Sequence, residues 1–229
     1  MSTLVVCGSL GSTKEMWAPQ LAAFPDAVVV EHPGHGAPLE DDVSIDALAR
    51  RLLARVDGPV SLVGLSLGGA VVLRAAAIAP ERVERIVLAC TSTRFGEPQQ
   101  WLDRAEVVRR DGLEAIVDAV LGRWFTAAYG DAGQWRAMFL SVDREGYARC
   151  CEALAPWDGS PDLPLVRAPA LVIAGSGDPT SPPAQAEAIA AQLADARVAV
   201  LEGAAHLANV ERALEFNELT EEHLWTRTG

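Results

Sequence analysis

The chain is nearly without lysine: Lys14 is the only one, and arginine carries the rest of its positive charge. Basic residues are outnumbered 19 to 31 by acidic ones, for a formal net charge of −12. Such a surface repels nucleic acid and anionic lipid, which excludes both as partners. Cysteine is sparse and unpatterned. Cys7, Cys90, Cys150 and Cys151 show no C-x-x-C spacing, so no disulfide scaffold is expected. Cys7 and Cys90, at the ends of apolar runs, read as buried free thiols. No apolar run approaches the roughly 18 residues of a membrane span. The opening MSTLVVCG has neither a basic leader nor a cleavable apolar stretch. These absences lead us to expect a cytoplasmic protein, and 229 residues suit one domain with a sizeable core.

What is present is an alternation. Short apolar runs at Leu4-Val5-Val6, 27–31, 60–63 and 86–90 predict strands, and 15–23, 45–56 and 67–79 predict the helices between them. The strands are apolar on both faces, as parallel strands covered by helices should be. The rhythm implies an α/β class, a mostly parallel doubly wound sheet with right-handed crossovers. From about 93 to 166 it stops, and only helical stretches follow (98–110, 112–125, 132–140, 144–155). It resumes with strands at 170–174 and 198–201, a helix at 182–193 and a final helix from about 209 to 225. We therefore expect a core from 1–92 and 167–229, and a helical cap inserted at 93–166. A cap launched from the C-terminal edge of such a sheet stands over the edge where ligands bind.

Gly64-Leu65-Ser66-Leu67-Gly68-Gly69 lies between a predicted strand and a predicted helix. A serine on so cramped a turn needs glycines for the two arms to pass, and the helix behind it aims N–H groups at developing negative charge. In this setting the stretch resembles the nucleophile elbow of the α/β-hydrolase fold. A serine hydroxyl also needs a base, and the base a third group to hold it. Asp178 follows the strand at 170–174 in a Gly-rich turn, and His206 follows the strand at 198–201. Ser66, Asp178 and His206 thus fall in the chain order this fold uses, each after a strand end. Taken alone, Asp178 reads equally as a turn cap. Backbone N–H groups of Leu67 and of Leu10, in the loop after the first strand, are the candidate oxyanion donors. His32 and His35 lack carboxylate or Cys ligands at useful spacing, so no metal is expected, and no cofactor. His223, in a polar terminal helix, reads as solvated.

With these motifs the chain resembles the 3-oxoadipate enol-lactonases. The likeness runs through Ser9-Leu10-Gly11, Met16-Trp17, His32-Pro33-Gly34-His35-Gly36 and the stretch from Gly64 to Gly69. It continues in Ala79-Pro80-Glu81-Arg82-Val83, Arg123-Trp124-Phe125-Thr126, Gly146-Tyr147 and Ala204 to Glu211. Two departures stand out: about two strands usual before residue 3 are missing, and Pro33 replaces an arginine. The resemblance implies a small anionic enol-lactone as substrate, attacked by Ser66 with His206 as base and Asp178 as its orienter. It also implies local positive charge for a carboxylate, with Arg123 as candidate and Trp124 shaping the pocket. From the residues alone, Arg123 reads equally as a surface cation and Trp124 as packing. Two other readings stay open: a general carboxylesterase or C–C-bond hydrolase, and a weakly active, hydrolase-like binding protein. Oligomeric state is not legible.

Overall fold

A computed structural model describes residues 2–225 of the chain. Six strands form one sheet: β1 (Thr3–Cys7), β2 (Val28–Val30), β3 (Val60–Leu65), β4 (Val83–Ala89), β5 (Ala170–Gly175) and β6 (Ala196–Leu201). Their order is β2-β1-β3-β4-β5-β6, and every neighbouring pair is parallel. All residues of β3 and β5 are buried, because helices cover both sheet faces. From β1 the chain crosses outward to β2, then returns to place β3 on the other side of β1. The crevice beyond the C-terminal ends of β1 and β3 is therefore the switch point where open α/β sheets take ligands.

The helices around the sheet are α1 (Ala18–Ala23), α2 (Ile45–Leu53), α3 (Leu67–Ile78), α8 (Pro183–Ala190), α9 (Ala208–Glu211) and α10 (Ala213–Trp225). Between β4 and β5 lie α4 (Pro98–Asp111), α5 (Val117–Trp124), α6 (Gly133–Leu140) and α7 (Arg144–Leu154), with no strand among the described residues there. Ser44 caps α2 by accepting from Ala47 N–H, and Ile45, Leu48, Ala49, Leu52 and Leu53 form its buried stripe. In α3 almost every side chain is buried, each Leu or Val contributing about 1.5–3 kcal/mol on leaving water. No described helix is long and apolar enough to cross a membrane.

Three helices differ from the sequence expectation. The stretch expected as a helix at 112–125 is a 3-10 turn, Leu113–Ala115, followed by α5 from Val117. The segment from Glu15 starts as a 3-10 turn, Lys14–Trp17, and becomes α-helical only at Ala18. Pro19 has no N–H to give Glu15, so the α ladder cannot run through it. The C-terminal helix is broken at Arg212 (φ −126°, ψ 50°), whose guanidinium turns back to donate to Glu202 O at 2.7 Å. His223 is also corrected. It is buried, since Phe216, Thr220, His223 and Leu224 recur at one-face spacing along α10. Position on the helix overrides the polarity of its neighbours, and burial lowers the imidazole pKa.

The helices between β4 and β5 are fastened to one another and to the core. Arg109 of α4 grips two carboxylates of α7, with Nε 2.8 Å from Glu145 Oε2 and Nη2 3.0 Å from Glu152 Oε2. Hydrogen bonds from Arg109 and Arg149 hold Glu145 down at about 2. The turn after β2 docks on the start of α7, where Asp143 N–H donates to Gly34 O at 2.8 Å. There the backbones nearly touch: a Cβ on Gly146 would lie 2.6 Å from both Gly34 Cα and Pro33 O.

Candidate active site

Ser66 stands between β3 and α3 at φ 58° and ψ −115°, a strained conformation for a residue with a side chain. Sequence makes the turn possible. A Cβ on Gly64 would lie 2.2 Å from Gly68 O, and one on Gly68 2.0 Å from Cys7 O. Hydrogen bonds on both sides hold it: Ser66 N–H donates to Ala89 O at 2.9 Å, and Thr91 Oγ1 to Ser66 O at 2.7 Å. Leu67 is the first residue of α3, so its N–H has no acceptor within the helix.

Asp178, in the turn after β5, is 3% exposed and uses both carboxylate oxygens. Oδ1 accepts Thr180 N–H at 2.8 Å and Ser181 N–H at 3.1 Å, and Oδ2 lies 2.8 Å from His206 Nδ1. One oxygen thus caps the turn, and the other faces the imidazole. A carboxylate oxygen accepts, so against an ionised Asp178 it is Nδ1 that donates, which leaves Nε2 as the acceptor of a neutral ring. Behind them Cys90, at φ 45°, approaches Ala205 O with its Sγ at 3.9 Å. Burial, then the Asp178 charge, pushes the Cys90 thiol up, out of reach of ionisation.

Ser66 and His206 line one cavity of about 230 Å³. No hydrogen bond joins their side chains, and unliganded catalytic pairs commonly tighten only around a substrate. Leu10 lines the same cavity, in a loop whose Ser9 N–H and Ser12 Oγ both donate to Met16 Sδ. The Ser9-Leu10-Gly11 and Met16-Trp17 motifs are thereby one folded unit. Arg123 and Trp124 reach the cavity from the end of α5. Trp124 forms cavity wall and packs edge-on against Phe139 at 5.7 Å. Arg123 is half-buried, and burial together with the Arg104 charge lowers its pKa.

Sequence reasoning missed Arg104 and Trp101, three residues apart on α4, which complete the cavity wall. The Arg104 guanidinium sits 4.7 Å over the Trp101 ring. Helical spacing put the two on one face of α4, but nothing local said which way that face turns. Tyr147 of α7 also lines the cavity, buried, its ring stacked on His35 at 6.2 Å. Neither Arg104 nor Arg123 has a carboxylate partner among the described residues. Beside Pro33, His32 Nε2 lies 2.9 Å from Gly8 O, and His35 Nδ1 lies 3.0 Å from Pro33 O.

Residues 4–219 match the family model described as the alpha/beta hydrolase family. The chain is 35% identical to 3-oxoadipate enol-lactonase 2 of Acinetobacter baylyi over 95% of its own length and 86% of that protein's. The crystal structure of the enol-lactonase from Burkholderia xenovorans LB400 superposes with a TM-score of 0.91 at 36% identity, covering 99% of this chain and 92% of the other. A malate-bound thermophilic esterase from Thermogutta terrifontis gives 0.88 at 25%, covering 97% and 89%.

Proposed function

The chain belongs to the alpha/beta hydrolase family and is an ester or lactone hydrolase; from that premise we propose that it opens a small anionic enol-lactone, 3-oxoadipate enol-lactone, through an acyl-enzyme on Ser66. One observation carries the substrate class: the cavity that holds Ser66 and His206 is lined by two arginines and no carboxylate. In a protein of net charge −12, such a place suits a carboxylate-bearing ligand. A half-buried Arg123 beside another cation is costly to keep charged, and a substrate carboxylate relieves that cost. Malate, in the name of the related esterase structure, is likewise a small dicarboxylate.

In this mechanism Ser66 Oγ attacks the lactone carbonyl while His206 Nε2 takes its proton. Asp178, bonded to Nδ1, stabilises the imidazolium and fixes its tautomer. The N–H groups of Leu67 and Leu10 receive the oxyanion, each worth about 3–4 kcal/mol. The C–O bond of the ring breaks toward an enolate, a better leaving group than an alkoxide. The enolate takes the proton from the His206 imidazolium and becomes a ketone, leaving His206 neutral again. Water deprotonated by His206 then attacks the acyl carbon and releases 3-oxoadipate, restoring Ser66. Residues 93–166 act as a cap, supplying Arg104, Arg123, Trp124 and Tyr147 from above the sheet edge.

A general carboxylesterase would use the same three side chains. Comparison of kcat/KM for the enol-lactone and for neutral aryl acetates decides between them. We expect the lactone to be preferred by at least about a hundredfold, the scale of one well-used charge-assisted contact. Equal rates on neutral esters would make the enzyme an esterase.

A further inference from the structure

Two segments singled out in the sequence, Arg123 to Thr126 and Ala204 to Glu211, hold residues without a part in the chemistry above. In the folded chain they are hydrogen-bonded to each other. Glu211, the last residue of α9, turns its partly buried carboxylate into the junction. Its Oε2 accepts Ala205 N–H at 2.5 Å, from the residue preceding His206. Its Oε1 accepts Thr126 N–H at 3.0 Å and the Thr126 hydroxyl at 2.7 Å. Backbone links run alongside: His206 N–H donates to Arg123 O at 3.4 Å, and Leu207 N–H to Trp124 O at 2.9 Å. The loop of Asp178 abuts the same place, with Gly177 N–H donating to Ala204 O at 2.9 Å.

We infer that Glu211 is a positioning residue, a carboxylate clasp tying the His206 loop to the strip that carries Arg123, so that base and substrate anchor keep one spacing. The inference rests on the reading of the site given above. A carboxylate suits this task because it only accepts, and three donors converge on its two oxygens. The backbone pairs alone join the two segments only where His206 meets Arg123 and Leu207 meets Trp124. The clasp adds a third, charge-assisted fixing from the last residue of α9. Positions held this way are what a two-ended site needs, since a misplacement of about 1 Å can cost a hundredfold in rate.

Glu211→Gln keeps the size of the side chain but turns one end into a donor facing Ala205 N–H or the Thr126 donors. The wild type, this variant, Thr126→Val and Thr126→Ser are each titrated for active sites with a neutral fluorophosphonate. Kinetic constants per active site are then measured on a neutral aryl ester and on an anionic ester with the same leaving group. We expect Glu211→Gln to slow Ser66 labelling and kcat by about tenfold to a hundredfold, with KM rising more for the anionic ester. Thr126→Val should move the same quantities less, and Thr126→Ser should restore them. If Glu211→Gln does not fold, the valine–serine pair carries the test. A labelling rate and an anionic-to-neutral ratio within about twofold of wild type, whatever the change in Tm, overturn the clasp. Equal losses in Thr126→Val and Thr126→Ser overturn it as well. The fluorophosphonate bears no carboxylate, so labelling judges the clasp, while the wild-type preference for anionic esters separately judges the substrate reading.

Discussion

Ser66 has a backbone only glycine adopts easily, at a cost of about 1–3 kcal/mol. The cost is borne because the turn thrusts the hydroxyl into the cavity. Ser66→Ala should therefore abolish turnover and leave the urea midpoint unchanged, whereas Ser66→Gly should abolish turnover and raise stability by up to about 1 kcal/mol. A Ser66→Gly protein less stable than Ser66→Ala would contradict the strain. Asp178 makes a sharper case, since one oxygen serves the turn and the other the imidazole. In Asp178→Asn the amide oxygen can keep the Thr180 and Ser181 N–H groups, leaving the NH₂ toward His206. An amide donor there forces the proton onto Nε2, so kcat should fall by about 10⁴ with the fold intact. Single-turnover kinetics within tenfold of wild type would remove Asp178 from the mechanism.

Among elements, the contact between the turn after β2 and α7 sets how the helices beyond β4 sit on the sheet. It depends on two glycines far apart in the chain, Gly34 and Gly146, meeting backbone to backbone. Gly146→Ala would put a methyl 2.6 Å from the Pro33 carbonyl, and that backbone cannot yield as a side-chain tip can. We expect a loss of about 1–3 kcal/mol, as for overpacked cores. KM should rise as well, because the next residue, Tyr147, lines the cavity. Denaturant titration and steady-state kinetics on one variant read both effects; a stable protein with an unchanged KM would show that α7 adjusts freely. The Arg109 clamp between α4 and α7 is a different matter. Its groups are about one-third exposed, and water screens such pairs to about 1 kcal/mol or less.

For the whole molecule, pH is the informative variable. His32 and His35 are both buried, and burial takes them from the ordinary 6.5 down to about 4 and about 3. Both are therefore neutral in the folded protein while the unfolded chain protonates them below pH 6.5. Unfolding between pH 6.5 and about 4 takes up protons, so stability is full above that window and falls as the pH drops through it. Each histidine should contribute about 1.4 kcal/mol per pH unit. Urea unfolding at pH 7, 6 and 5 measures the slope, and His35→Gln should reduce it; a flat profile would refute the burial argument. Glu145, held down to about 2 by hydrogen bonds from Arg109 and Arg149, stays ionised across that window. What the sequence by itself determined is what acts locally. Strands apolar on both faces, the glycines at 64 and 68, and an acid and a histidine just past strand ends are each dictated within a few residues. That is why the sheet and the order of Ser66, Asp178 and His206 were legible. Only the tertiary structure decided which face of α4 turns Arg104 and Trp101 to the cavity, that His223 is buried, and that the last helix breaks at Arg212. It alone joined Thr126 to Glu211, 85 residues along the chain. The physical reason is that orientation and long-range hydrogen bonds follow from how whole elements pack, and no short stretch of sequence contains its own neighbours.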